Sequence, residues 1–117
     1  MSGTVSYHAG RSAEDCVARG YEGRGMAIAA RRWRGAGGEI DLVARDGDAL
    51  VFVEVKQSRS FSSAAERVTR RQMDRVMMAA QEYLAGEPGG QLTDIRFDVA
   101  LVNGFGEVDI LENAFCA

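Results

Sequence analysis

One stretch constrains this chain more than any other, the run from Glu39 to Lys56. It reads EIDLVAR, then Asp46-Gly47-Asp48, then ALVFVEVK. Two segments rich in Val, Ile, Leu and Phe flank an Asp-Gly dipeptide, the pairing favoured by tight β-hairpins. Taking Asp46-Gly47 as a two-residue loop pairs Arg45 with Asp48, Asp41 with Phe52 and Glu39 with Glu54. Side chains alternate across a sheet, so Glu39, Asp41, Glu54 and Lys56 share one face. Ile40, Leu42, Val51, Val53 and Val55 take the other. A four-residue loop keeps this parity, whereas a three-residue loop would turn Asp41 away.

In that register Asp41 and Glu54 are diagonal neighbours, roughly 7–8 Å apart at Cα. Like charges that close repel unless a cation lies between them. A hard divalent ion such as Mg²⁺ takes one or two carboxylates and fills its shell with water and phosphate oxygens. The Val55 carbonyl could add one more oxygen. Lys56 stands two residues beyond Glu54 on the same face, where an ammonium can hold an attacking water or steady charge developing on phosphorus. A metal, a water and a lysine beside a phosphodiester make a hydrolysis site. Alternating charges can also mean only a solvated face. The apolar LVFV run beside Glu54, and a further carboxylate on an inner helix face, favour the site.

That further carboxylate is Glu14. Residues 11–22 are expected to be a helix, with Ser12 as N-cap and Asp15 completing a weak capping pair. Val17, Ala18 and Tyr21 form its apolar face, and Glu14 falls on the same face. A carboxylate there is costly unless something pairs with it. Gly23 and Gly25 end the helix. Strands are expected over 26–34, 39–45, 49–56 and 94–102, with a short last one over 107–111. A second helix starts at a Ser63–Glu66 capping box and runs to Gly86, carrying Arg67, Arg71 and Arg75 as one basic stripe. The order is α-β-β-β-α-β-β, without internal repeats. Residues 1–9 read as a flexible leader and 10–117 as a single domain.

The chain has 117 residues, enough for one compact domain. Its net charge of −3 argues against a histone-like blanket binder of nucleic acid. The total hides an asymmetry: residues 1–80 carry 13 basic and 10 acidic side chains, whereas 81–117 carry one and seven. The positive field belongs to the first part, and local clustering sets surface potential. Of the 14 basic residues, Lys56 is the sole lysine. No apolar run approaches the ~20 residues of a membrane helix, and the N-terminus lacks a secretory signal. Cys16 and Cys116 have no metal-site spacing and read as reduced thiols of a cytoplasmic protein. His8 lies in the polar leader and receives no catalytic role.

The block GEIDLVARDGDALVFVEVK at 38–56 resembles the hallmark of the YraN family of small bacterial proteins. Gly10 through Ala18, Trp33-Arg34, the Ala79, Ala80, Tyr83, Leu84 helix end, Arg96-Phe97-Asp98-Val99 and Asn113-Ala114-Phe115 extend the likeness collinearly. The family is similar to the PD-(D/E)xK nuclease superfamily and, within it, to archaeal Holliday junction resolvases. The resemblance implies a restriction-endonuclease-like α/β domain, a mixed central sheet flanked by helices. It implies a Mg²⁺- or Mn²⁺-dependent endonuclease acting on nucleic acid, with branched DNA favoured by analogy. Asp41, Glu54 and Glu14 map onto the metal ligands and Lys56 onto the catalytic lysine. Arg34, Arg59, Arg67, Arg71 and Arg75 would meet substrate phosphates. Glu39 would either support the metal ligands from behind or face solvent. Two positions depart from the family: Gln72 stands where a lysine is usual and is placed toward the site, and Arg32 replaces an Asn. These departures keep an alternative open, a non-catalytic nucleic-acid-binding or adaptor module on the nuclease fold. Resolvases act as symmetric dimers because a junction presents two equivalent cuts, so the resemblance leaves room for a homodimer.

Overall fold

The hairpin forms, and five strands build on it. In the computed structural model, which describes residues 2–116 and the side chains from Ser12 onward, α1 spans Ser2–Gly23 and β1 Ala27–Arg34. They are followed by β2 (Glu39–Asp46), β3 (Ala49–Gln57), α2 (Phe61–Glu66), α3 (Arg70–Leu84), a 3-10 turn at Gly90–Leu92, β4 (Ile95–Val102) and β5 (Val108–Phe115). The sheet order is β1-β2-β3-β4-β5, with β3 and β4 parallel and the other neighbours antiparallel. The parallel pair needs a crossover, which α2 and α3 supply. The result is a mixed α/β domain with an open five-stranded sheet.

Both faces of the sheet are covered. Ala13, Val17, Ala18 and Tyr21 of α1 pack on Leu42, Ala44, Val51, Val53, Ala100 and Val102. Val76, Ala79, Ala80 and Leu84 of α3 pack on Val43, Leu50, Phe52, Phe97 and Leu101. This explains the unbroken apolar run of β3, since a central strand buried on both sides has no wet face. It also corrects the expected division into one charged and one apolar face: α3 covers the face that carries the carboxylates. Ile40 and its β1 partner Trp33 join the α3 side too, and Trp33 packs edge-on against Tyr83.

Several further expectations are revised. The hairpin pairs Asp46 with Ala49 and Arg45 with Leu50, so the turn is Gly47-Asp48. Gly47 has φ +61, and glycine at the first central position tolerates this without steric cost. The long second helix is two helices. Thr69 caps α3 and forms its box with Gln72, while the box that starts α2 is Ser60–Ser63 rather than Ser63–Glu66. A Thr side chain that bonds neighbouring backbone competes with helix continuation. Arg67 therefore caps α2 while Arg71 and Arg75 lie on α3, so the three do not form one stripe. β5 extends to Phe115, whose ring stacks on Phe97. Ser12 lies inside α1 instead of capping it. The side chains of the expected leader, His8 among them, fall outside the described residues.

Buried Asp98 ties α1 to the sheet. It is 0% exposed and accepts from the Tyr21 hydroxyl at 2.7 Å, from Arg96 Nε at 3.0 Å and from the Asn113 amide at 2.9 Å. Burial, then the Asp98 carboxylate, pushes the Tyr21 hydroxyl pKa far up, so it remains a donor. Removing one member of a buried charged network strands the others. Asp98→Ala is expected to cost about 3 kcal/mol in a urea unfolding titration.

Candidate active site

The hairpin register brings the candidate site together. The β2–β3 ladder ends at Leu42↔Val53, and the Asp41 carboxylate takes the next amide, accepting from the Val55 N–H at 2.8 Å. Asp41 and Glu54 are the next residues on the two strands after that last pair, and they line one pocket together. Lys56 Nζ lies 3.5 Å from Glu54 Oε1, and both side chains are largely buried. Burial, reinforced by the Asp41 charge and opposed by Lys56, pushes the Glu54 carboxyl pKa up to about 8. Two carboxylates meet here with one lysine to balance them.

A shallow pocket of about 210 Å³ opens over this pair. Asp41 and Glu54 line it together with Glu39, Gln72 and Arg75. Glu39 also holds Arg34 at 2.8 Å, and Arg34, Glu39 and Arg75 line an adjoining depression. Gln72 lies over the site as placed from the sequence, but its side-chain oxygen accepts from the Thr69 amide at 3.3 Å. The Gly35–Gly38 turn seats this wall on α3. Glu82 accepts from the Ala36 and Gly37 amides at 3.0 and 2.9 Å, which hold its pKa down. A Cβ on Gly38 would stand 3.0 Å from the Arg75 carbonyl oxygen, an approach tight enough that any larger residue would push the turn off α3 by a few tenths of an ångström.

The remaining candidates separate. Glu14 is half-buried on the inner face of α1 but pairs with Arg32, Nε to Oε1, at 2.8 Å. Arg32 sits between the pairs Arg31↔Leu42 and Trp33↔Ile40, a register that sets it opposite Asp41. Its φ is +48, left-handed backbone that a bulky side chain adopts at a cost. Asn tolerates that region well, which gives a physical reason for the Asn that the resemblance implies at this position. Arg32 was the residue that spacing alone did not mark as part of the site. Among the described residues, no group of three or more His, Cys, Asp or Glu side chains is placed to hold a metal ion. Asp41 and Glu54 line the pocket together, while Glu14 is engaged by Arg32.

The arginines divide as well. Arg75 and Arg34 border the pocket and its extension. Arg67 donates to the Gln57 carbonyl at 2.7 Å and ties the end of α2 to the end of β3. Arg71 is exposed on α3, and Arg59 is exposed in the loop that follows β3.

Fold and site together define a small mixed α/β domain with an acidic pair and a lysine under a basic rim. The chain belongs to the family described as uncharacterised protein family UPF0102, whose model matches residues 13–102. This agrees with the YraN-like character of its sequence. It is 62% identical over 117 residues to a UPF0102 protein of Cereibacter sphaeroides strain KD131, covering all of both chains. It is 60% identical over 113 residues to one of Ruegeria pomeroyi, covering 97% of this chain and 92% of the relative. A UPF0102 protein of Roseobacter denitrificans is 54% identical over 113 residues, covering 97% and 88%. Among the described residues, no helix is long and apolar enough to cross a membrane.

Proposed function

We propose that this protein is a divalent-metal-dependent nuclease of the restriction-endonuclease type that hydrolyses phosphodiester bonds in nucleic acid, with DNA favoured. The observation that carries the reading is the meeting of Asp41, Glu54 and Lys56 where β2 and β3 stop pairing. Two carboxyls pressed together with Glu54 raised to about 8 suit a cation. Asp41 and Glu54 would hold Mg²⁺ or Mn²⁺, with Glu14 joining if Arg32 releases it. The bound ion would supply Lewis-acid stabilisation of the phosphate and a more acidic water. Lys56 orients that water or meets charge on the phosphoryl oxygens. Arg34 and Arg75 hold flanking phosphates, and contacts of this kind fix register without reading sequence.

Cleavage of linear, single-stranded and four-way-junction DNA with Mn²⁺ tests the proposal. Activity lost in both Glu54→Ala and Lys56→Ala supports it. Equal cleavage by both variants removes the site assignment. A second reading, a binding or adaptor module without catalysis, is favoured by the Glu14–Arg32 pair and by Gln72 at the usual lysine position. It predicts salt-sensitive DNA binding with no Mn²⁺ affinity.

Metal binding must displace the proton of Glu54, because a ligating carboxyl has to ionise. Calorimetric Mn²⁺ titrations in buffers of different ionisation enthalpy are expected to show close to one proton released at pH 7. Affinity is expected to climb between about pH 6.5 and pH 8. Affinity that is flat across that range would separate Glu54 from the metal.

A further inference from the structure

We propose that Phe105 is a base-stacking residue that receives an unstacked nucleobase of single-stranded or branched nucleic acid beside the phosphodiester site. The inference deepens the nuclease reading and rests on its nucleic-acid partner. Phe105 is 89% exposed, although a phenyl ring is normally withdrawn from water. Its turn is not loose. The Asn103 side-chain oxygen accepts from the Phe105 and Glu107 amides, both at 3.0 Å, and its Nδ2 donates to Glu107 at 2.7 Å. The Asn103 amide donates to the Glu107 carbonyl at 3.1 Å, and the Gly106 amide to the Asn103 carbonyl at 3.1 Å. Gly106 closes the turn at φ +78, which favours glycine. A buried Asn fastened on both sides thus presents an apolar ring to solvent at little further entropic cost.

The turn's position gives the ring its partner. β3 and β4 are parallel, with Lys56 opposite Leu101 and Gln57 opposite Val102. Both strands run out at one end of the sheet, so the segments after Lys56 and after Val102 leave side by side. The Ser58 amide donates to the Val102 carbonyl at 3.0 Å, and the Gly104 amide to the Arg59 carbonyl at 3.2 Å. A Cβ at Gly104 would stand 3.4 Å from that carbonyl oxygen. The turn that carries exposed Phe105 is therefore tied through backbone to the loop that carries exposed Arg59, just past the candidate catalytic lysine. A cation beside an aromatic platform suits a phosphate next to a splayed base, since every base offers a π-face. Paired bases inside a duplex are stacked on each other and do not offer one.

Full-length protein, Phe105→Ala and Phe105→Trp are compared in binding fluorescein-labelled oligothymidylate and a duplex of equal length, without divalent metal. Phe105→Ala is expected to weaken single-strand binding on the order of tenfold while changing duplex binding less than twofold. The indole introduced by Phe105→Trp is expected to lose emission on adding the single strand and not on adding the duplex. If wild type binds the single strand while Phe105→Ala binds equally and the indole is unquenched, the stacking role falls and the nuclease reading survives. If wild type binds neither DNA, both fall. If Phe105→Ala abolishes self-association in sedimentation and leaves DNA binding intact, the ring serves a second copy of the chain and the stacking role is overturned.

Discussion

Lys56→Arg is expected to lower cleavage by about 100-fold while leaving DNA affinity within a factor of two. The charge is retained, so the loss isolates shape. Lys56 is mostly buried and stands 3.5 Å from Glu54 Oε1, in a space that suits a compact, rotatable ammonium. A planar guanidinium there would fork onto Glu54 and Asp41 and compete with the metal for both. Single-turnover cleavage with Mn²⁺ alongside equilibrium binding checks the prediction. A proportional fall in binding and cleavage would make Lys56 a phosphate anchor. Unchanged cleavage would remove it from the reaction.

Glu54→Gln is expected to abolish Mn²⁺ binding and to raise the stability of the metal-free protein. Folding carries the Glu54 carboxyl from its ordinary 4.5 to about 8, so the folded state binds the extra proton. Stability from this group is full below pH 4.5 and is lost as pH rises through about 8. The amide keeps a hydrogen-bond donor toward Asp41 without the proton linkage. At pH 8 the variant is expected to gain on the order of 2 kcal/mol, and its stability should depend less on pH between 5 and 8. Urea titrations across that range measure both effects. A destabilised variant with an unchanged pH profile would show that Glu54 is already ionised and held by Lys56.

These two outcomes, with proton release on Mn²⁺ binding, test one electrostatic arrangement by different observables. Binding, cleavage and stability each depend on a separate consequence of the Asp41–Glu54–Lys56 contact. Arg32 adds a fourth handle. Arg32→Asn suits the left-handed backbone and frees Glu14, so tighter Mn²⁺ binding, by about threefold to tenfold, is expected.

Local sequence pattern alone set the hairpin and drew Asp41, Glu54 and Lys56 toward one place. Strand alternation has a period of two, and the even turn survives a shift of the loop from Asp46-Gly47 to Gly47-Asp48. The inward side of α1 was equally legible, because helical spacing puts Glu14 with Val17, Ala18 and Tyr21. Tertiary structure decided which partner each group meets. The pairing of Glu14 with Arg32 goes with one left-handed residue in β1, which no periodicity encodes. The split of the second helix followed from Thr69 capping α3, where a side-chain cap competes with helix continuation. The Asp98 network and the Gly35–Gly38 seat on Glu82 join residues far apart in the chain, and such contacts exist only once the layers have packed. The lone lysine was visible as a count; only the parallel pairing of β3 with β4 joined the Arg59 loop that follows it to the turn of Phe105.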